Sequence, residues 1–359
     1  MALLITNQGQ SLAFFLVLVL AICSPQAFCR RQHSGDDKIM LERHEGWMAR
    51  HGRVYKDSQE KERRYNTFKS NVEFIKGFNK KGENQYTLGI NKFADLTNEE
   101  FQAMRKGYKR RHLPEIMSNS VKAAPNNNFR YENVTDVPKS KDYFSLGAVT
   151  TVKDQRQCGC GWAFSAVAAV EGLNFLKTGN IVSLSEQELV DCDVGLVNDG
   201  CHYGEVGYAF EYMIERNRSL ATYADYGYKG TDGGSCKADD YNNNDAAITV
   251  KGFELVPENN ETALLQAVAN QPVSVAIDDN GEFFQNYADG VFSGPCGTNL
   301  THAVIVIGYG EEDGKKYWLI KNSWGEDWGH NGYMKLQRDV PAKEGLCGIA
   351  VAAYYPTSE

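Results

Sequence analysis

Beyond residue 22 the chain has no apolar run long enough to cross a bilayer, and its charge is spread without long runs of one sign. The first absence excludes a membrane-spanning helix past the N-terminus. The second, with 38 Lys and Arg against 46 Asp and Glu and a net charge of −8, excludes the basic footprint that nucleic acid requires. Also missing is a His or Cys cluster at metal-ligand spacing, so no metal is expected, and nothing calls for another cofactor. No Lys or Arg precedes the single apolar run near the N-terminus, residues 11–22 (SLAFFLVLVLAI).

That run is too short for a membrane span and suits the core of a secretory signal, with cleavage after Ala27 or Cys29. Residues 1–29 therefore read as a signal peptide. The remainder is ordinary in composition, 42% hydrophobic and 11% aromatic, which fits folded domains rather than disorder. Nine cysteines occur; Cys23 and Cys29 lie in or beside the signal, and seven remain. In an oxidising compartment an odd seven leaves three disulfides and one thiol. Sequons at Asn133, Asn217, Asn260 and Asn299 fit a lumenal route and mark candidate glycosylation sites.

Residues 36–107 are charged and read as helical. Glu60, Arg64, Phe68, Asn71, Ile75 and Asn79 fall at spacings of three and four, which keeps all six on one helix face. After GINKFAD (residues 89–95), LTNEEF signals a new helix with Thr97 or Asn98 as cap. Residues 109–133 read as an exposed linker open to nicking. Residues 162–176 give a helix closed by Gly179 and Asn180, and Ser185 with Glu188 forms a capping box for another. Past residue 245 strands dominate. A helical half followed by a β-rich half places a cleft between them.

HAVIVIGYG and KKYWLIKNSW flank EEDGKK, whose Asp313 and Gly314 are a hairpin signal. A turn near Glu312 and Asp313 sets His302 across from Asn322 or Ser323. A His with a polar partner is a general base held in one tautomer, or else His302 merely starts a strand.

These motifs, in their order, resemble those of the papain-like cysteine proteases made as inhibited proenzymes, with plant vacuolar members nearest. The face from Glu60 to Asn79 fits the ERFNIN propeptide motif, and Gly89, Asn91, Phe93 and Asp95 fit its GNFD companion. GAVTTVKDQ, WAFSAVAAVEG, SLSEQELVDCD, THAVIVIGYG and IKNSWGEDWG look like mature-enzyme signatures. The resemblance implies an α+β, papain-like two-lobed fold, with a helical left lobe and a β-barrel-like right lobe. It implies an inhibitory propeptide and linker over residues 30–131 and a mature domain over 132–359. It makes Gln155 an oxyanion donor, His302 the base, Asn322 its orienting residue and Trp324 the indole shielding that bond. Gly159, Tyr203, Gly204, Glu205, Val206, Ala276 and Ala303, with Trp324, take substrate-binding positions. Cys158 with Cys201, Cys192 with Cys236, and Cys296 with Cys347 fall at the family's disulfide positions, leaving Cys160; an alternative joins Cys160 to Cys201 instead. A protein or peptide ligand, the chain's own propeptide as inhibitor, a monomer, and a vacuolar, lysosomal or extracellular destination complete the expectation.

The chain departs from the family at the nucleophile. Where the family reads Cys-Gly-Ser-Cys-Trp, residues 158–162 read CGCGW, so Gly161 stands in the nucleophile's place and Cys160 in the serine's. One step along a helix turns a side chain by about 100° and advances it about 1.5 Å, which aims the Cys160 sulfur away from His302. Peptide hydrolysis by the Cys-His route is thus expected to be lost or crippled, since about 1 Å of misplacement can cost 10²-fold. Arg156, Tyr203, Glu205 and Val206 also depart from the family pattern around the cleft. Three readings stay open: an endopeptidase working through Cys160, a pseudoprotease that binds peptides, and a non-catalytic storage or defence protein.

Overall fold

The computed structural model describes residues 25–105, 107–109, 129–195, 197–241 and 247–359. The apolar core of the expected signal peptide, and residues 110–128 of the expected linker, lie outside the described residues. The chain divides into two compact units, Met1–Ser70 and Asn71–Glu359.

In the first unit, helix α1 (Pro25–Arg50) is joined by a short turn to the start of α2 (Ser58–Lys81). Phe68 is fully buried against His44 and Trp47, at ring-centroid distances of 5.0 and 5.4 Å. Glu60 and Arg64 approach to 4.0 Å on the same helix face. The spacing seen in the sequence therefore mixes one apolar anchor with an i,i+4 ion pair.

In the second unit Ile75 of that face joins the apolar core, and its two asparagines hold the backbone that follows. Asn71 donates to the carbonyls of Ala94 and Leu96 at 2.9 and 3.0 Å. Asn79 exchanges two bonds with Leu88 in β1 (Tyr86–Leu88). Thr97 and Glu100 form a reciprocal capping box, with the Glu100 amide bonding the Thr97 hydroxyl and the Thr97 amide bonding the Glu100 carboxylate. This opens α3 (Asn98–Arg105).

The helical lobe is built on α4 (Gly161–Thr178), α5 (Glu186–Cys192) and α6 (Val206–Arg216). Helix α4 ends at Gly179, which adopts a left-handed φ of 75°. At α5 only half of the expected capping box forms. Ser185 accepts from the Glu188 amide at 3.0 Å, but the Glu188 carboxylate turns to the Ala221 amide at 2.7 Å.

The β-rich lobe contains β3 (Gly252–Leu255), α7 (Glu261–Asn270), β4 (Val273–Ile277), a single turn α8 (Glu282–Gln285) and β5 (Tyr287–Phe292). It continues with β6 (His302–Glu312), β7 (Lys315–Lys321), β8 (Tyr333–Gln337) and β9 (Ala353–Thr357). Among the described residues the sheet order is β1-β5-β8-β7-β6-β4-β9-β3, and the two-residue β2 (Lys141–Asp142) pairs with β6. The β6–β7 hairpin turns at Asp313 and Gly314, one residue later than expected, with Glu312 facing Lys315 and φ of 48° and 76° in the turn.

Strands β4 and β6 explain why a nearly unbroken apolar sequence serves here. Val273, Val275, Ile277, Val304 and Val306 point into the core of the β-rich lobe. The alternate residues Ala276, Ala303, Ile305 and Ile307 point into the core around α4. A strand buried on both faces has no polar side to show. The small side chains of Ala276 and Ala303 let α4 approach closely. Ser165 on α4 donates to the Val304 carbonyl at 2.6 Å, and Ser274 on β4 donates to the Ser165 carbonyl at 2.9 Å. These bonds fix the helix start against the first residue of β6.

Candidate active site

His302 opens β6, opposite Ile277 of β4, and is buried. Its Nε2 lies 2.8 Å from Asn322 Oδ1. That oxygen can only accept, so Nε2 carries the proton and Nδ1 keeps its lone pair in the neutral ring. The indole of Trp324 stacks on the imidazole at 4.9 Å with planes 21° apart. Phe93, Phe101, Phe284 and Trp328 in turn pack edge-on to that indole. The ring is therefore held by a hydrogen bond at one end and an aromatic wall on one face.

Nδ1 faces the first residue of α4. A β-carbon placed on Gly161 would stand 2.5 Å from Nδ1, 2.6 Å from Cε1 and 3.2 Å from the Ala303 carbonyl oxygen. The imidazole thus fills the space a side chain at position 161 would need.

Cys160, the residue before α4, is buried. Its sulfur lies 3.0 Å from the Tyr228 hydroxyl, which donates to the Gln155 carbonyl at 2.8 Å. With the single phenolic proton committed to Gln155, the thiol is the donor to Tyr228. Burial and the neighbouring Cys160 push the Tyr228 hydroxyl far up, so it stays neutral. Phe164 packs edge-on to the same ring at 4.9 Å. Cys160 precedes α4 as its N-cap, with φ of −108° and ψ of 27°, so its side chain is set by that non-helical backbone and the Tyr228 contact rather than by a step along the helix.

Gln155 is fully buried, and its side chain is fixed at both ends. Its amide nitrogen donates to the Cys158 carbonyl at 2.9 Å, and its oxygen accepts from the Ser323 hydroxyl at 2.6 Å. The neighbouring Arg156 has φ of 55°, a left-handed conformation that favours glycine, and is tied down through Asp154 and the Lys229 carbonyl. Cys158 pairs with Cys201, Cys192 with Cys236 and Cys296 with Cys347; the alternative of Cys160 with Cys201 is not formed.

The segment at residues 107–109 runs through the cleft. The Gly204 amide donates to the Gly107 carbonyl at 2.9 Å, the Lys109 amide to the Gly204 carbonyl at 3.2 Å, and the Tyr108 amide to the Thr301 carbonyl at 3.1 Å. Gly107 passes so close to Gly159 that a β-carbon there would be 1.8 Å from the Gly159 oxygen. Lys109 sits over the Tyr203 ring at 4.7 Å. Glu205 and Val206 are both fully buried beside this segment, and Ala276 and Ala303 are buried at the junction of α4 with the sheet. The four sequon asparagines, Asn133, Asn217, Asn260 and Asn299, are exposed; Asn260 also caps α7 through the Ala263 amide.

Beneath Asn322 lies a buried charge cluster. Lys153 contacts Glu171 at 3.0 Å and Glu186 at 2.6 Å. Lys321 donates to the Thr150 hydroxyl, which donates to Glu171. The carboxyl of Glu186 is raised chiefly by burial, whereas the lysines outweigh burial at Glu171 and hold it down. A cavity of about 20 Å³ is bordered by Glu186, Lys321 and Asn322, which is room for about one water.

Sequence reasoning did not single out Tyr228, Tyr108 or Tyr354, each of which contacts a candidate residue. Ser323 was named only as an alternative to Asn322 opposite His302, and it binds Gln155 instead.

A sequence profile described as Papain family cysteine protease matches residues 137–357. The chain belongs to that family. A second profile, Cathepsin propeptide inhibitor domain (I29), matches residues 44–101. The papain-like protein is therefore made as a proenzyme, with a propeptide domain that inhibits the protease domain following it. It is 48% identical over 355 residues to the senescence-specific cysteine protease SAG39 of Oryza sativa subsp. japonica, covering 98% of this chain and 99% of that one. It is 49% identical to the senescence-specific cysteine protease SAG12 of Arabidopsis thaliana over 328 residues, covering 90% of this chain and 91% of that one. Among solved structures, the recombinant stem bromelain precursor superposes with a TM-score of 0.79 at 46% identity, covering 89% of this chain and 99% of that one. Procathepsin L 3 of Tenebrio molitor larval midgut gives 0.77 at 34% identity over the same shares.

Proposed function

We propose that this papain-family proenzyme is a pseudoprotease: its cleft binds peptides, and its thiol chemistry is lost. The reading rests on one observation, that Nδ1 of His302 faces a glycine while the neighbouring thiol is bonded to Tyr228. His302 would serve as base and Asn322 as its orienting partner. The Gln155 amide and the Gly161 backbone N–H would serve as oxyanion donors, as the family resemblance implies. What is missing is the atom that attacks. A hydroxyl or thiol cannot be supplied by a residue with no side chain, and oxyanion donors with binding alone leave roughly 10³ to 10⁴ over uncatalysed hydrolysis. That is far below what peptide turnover requires.

The binding half of the reading is supported by the backbone pairing of Gly204 with residues 107–109, since an extended peptide can use the same N–H and carbonyl. The N-terminal apolar run, the disulfides and the exposed sequons together favour a secretory route ending in a vacuole or outside the cell.

The test treats the protein, after acidic exposure to release the prosegment, with a thiol-directed epoxide and with fluorogenic and labelled peptides. Saturable peptide binding without turnover, and no epoxide on Cys160, is the expected result. Hydrolysis that Cys160→Ala abolishes, with epoxide found on Cys160, overturns the reading in favour of an active endopeptidase.

A further inference from the structure

The pocket that receives Tyr108 ends in a carboxylate. Glu205 precedes the first residue of α6 and is fully buried, yet its side chain makes no capping bond to its own helix. Its backbone is pinned instead, the amide donating to Asn198 Oδ1 at 2.8 Å. The carboxylate accepts from the Tyr108 hydroxyl at 3.5 Å. The hydroxyl of Tyr354, also buried, hydrogen-bonds with both Glu205 and Tyr108, and burial first, then the charge of Glu205, drives it far up. Three oxygen-bearing groups thus meet in this pocket, and Tyr108 and Tyr354 belong to the same apolar cluster as Ala276, Ala303 and Val206. The backbone of Tyr108 is extended across the cleft and bonded on both sides, to Thr301 and, through its neighbours, to Gly204.

A buried carboxylate needs donors, and losing one costs more than a hydrogen bond is worth at the surface. An aliphatic or phenyl side chain entering this pocket would push water away from Glu205 and offer nothing in return. A phenol, ammonium or guanidinium at the same depth would complete its hydrogen bonding. The structure assigns Glu205, on this basis and on the peptide-binding reading above, as the specificity determinant of the cleft: we propose that the pocket selects peptides whose side chain there ends in a hydrogen-bond donor, tyrosine, lysine or arginine, over leucine or phenylalanine.

Two measurements separate the pocket from the broader reading. The first uses the full chain, where residue 108 is its own ligand, and follows hydrogen exchange at the Tyr108 and Gly204 amides. Tyr108→Phe should speed exchange by about tenfold to a hundredfold, the cost of withdrawing a donor from a charged acceptor. Tyr108→Arg should stay protected. In a Glu205→Leu background the order should reverse, with Tyr108→Phe the better protected. Should Glu205→Leu fail to fold, the comparison of Phe with Arg at 108 still decides. Exchange of Tyr108→Phe at the unaltered rate, or Tyr108→Arg opening faster than Tyr108→Phe, overturns the assignment. The second adds labelled peptides RKGXKRR, with X as Tyr, Arg, Phe or Leu, to the Tyr108→Ala full chain. Tyr and Arg peptides binding at least tenfold tighter than Phe and Leu supports the proposal, and equal or reversed ranking overturns it. If no peptide binds at any concentration while the exchange pattern holds, the peptide-binding reading fails and the pocket chemistry stands.

Discussion

Nδ1 of His302 lies 2.5 Å from where a β-carbon on Gly161 would stand. The base and the empty nucleophile position are therefore adjacent, and they compete for the same volume. The ring cannot retreat without moving against Trp324, on which it stacks at 4.9 Å, or lengthening its 2.8 Å contact with Asn322.

Replacing Gly161 by cysteine tests both halves of that relationship. Loss of a nucleophile costs about 10⁶ in kcat in serine proteases. A ring displaced by about 1 Å returns roughly 10² of any gain. Gly161→Cys should thus raise peptidase activity about 10⁴-fold over the unaltered protein and make residue 161 the site of epoxide labelling. Gly161→Ala, with the same β-carbon and no sulfur, should lower stability by about 1–3 kcal/mol through overpacking and add no activity. Peptide hydrolysis assays and thermal melts on both variants check this. No rise in activity with the cysteine would mean that His302 and the oxyanion donors no longer align.

The Cys160 thiol should behave as a structural group. It is fully buried and donates to Tyr228, whose own proton is held by the Gln155 carbonyl. Structural thiols buried in the fold are inert. Alkylation of Cys160 in the native protein should run at least about a hundredfold slower than in urea, and Tyr228→Phe should speed it. Mass spectrometry of iodoacetamide-treated protein reads both rates. Equal labelling in native and unfolded protein would contradict the burial described above.

Much of this site was legible from residue order, for physical reasons. The hairpin between β6 and β7 follows from Asp313 and Gly314, and it brings His302 near Asn322 even though the turn falls one residue later than expected. The placement of Cys160 by helix pitch does not carry over, because that residue is the N-cap of α4, with φ of −108° and ψ of 27°. Family motifs carried the rest, including Gln155 and the three disulfide pairings. What stayed hidden depends on contacts distant in sequence. Tyr228 meets Cys160 across 68 residues, and Tyr108 meets Glu205 across 97. Neither tyrosine sits in a motif. The capping box at Ser185 was read as complete, but the Ala221 amide, 33 residues from Glu188, takes the carboxylate. Local pattern cannot weigh a tertiary partner that has yet to be placed.

The contact between Gly107 and Gly159 predicts how tightly the prosegment is held. A β-carbon on Gly107 would overlap the Gly159 carbonyl oxygen at 1.8 Å, and backbone on both sides leaves nothing flexible to yield. Gly107→Ala should lift residues 107–109 from the cleft, breaking their bonds to Gly204 and Thr301. The expected readouts are faster hydrogen exchange at the Gly204 amide, by tenfold or more, and quicker cleavage of the 109–133 region by an added protease. The mature-domain melting transition should stay unchanged, which separates release of the segment from general unfolding.

Lys321 makes the last prediction, a dependence on pH. Burial pushes its ammonium down to about 8, Lys153 acts in the same direction, and Glu171 and Glu186 oppose both. In the unfolded chain the same group holds its proton up to the ordinary lysine range, about 10.5. Between those values the unfolded state binds more protons than the folded one, so this residue makes the fold more stable as pH rises through the window. Below about 8 the group is charged in both states and its burial weighs fully against folding. The span corresponds to about 3 kcal/mol. Lys321→Met removes the titration while leaving Lys153 to neutralise Glu171 and Glu186, which it contacts at 3.0 and 2.6 Å. Urea unfolding of both proteins at pH 8 and pH 10.5 measures the effect as a difference, which cancels the tyrosines that also titrate there. The unaltered protein should gain about 3 kcal/mol on the variant across that interval. A difference that is flat, or that falls, would show that Lys321 keeps its proton in the fold, and that Glu171 outweighs burial at the base of the site.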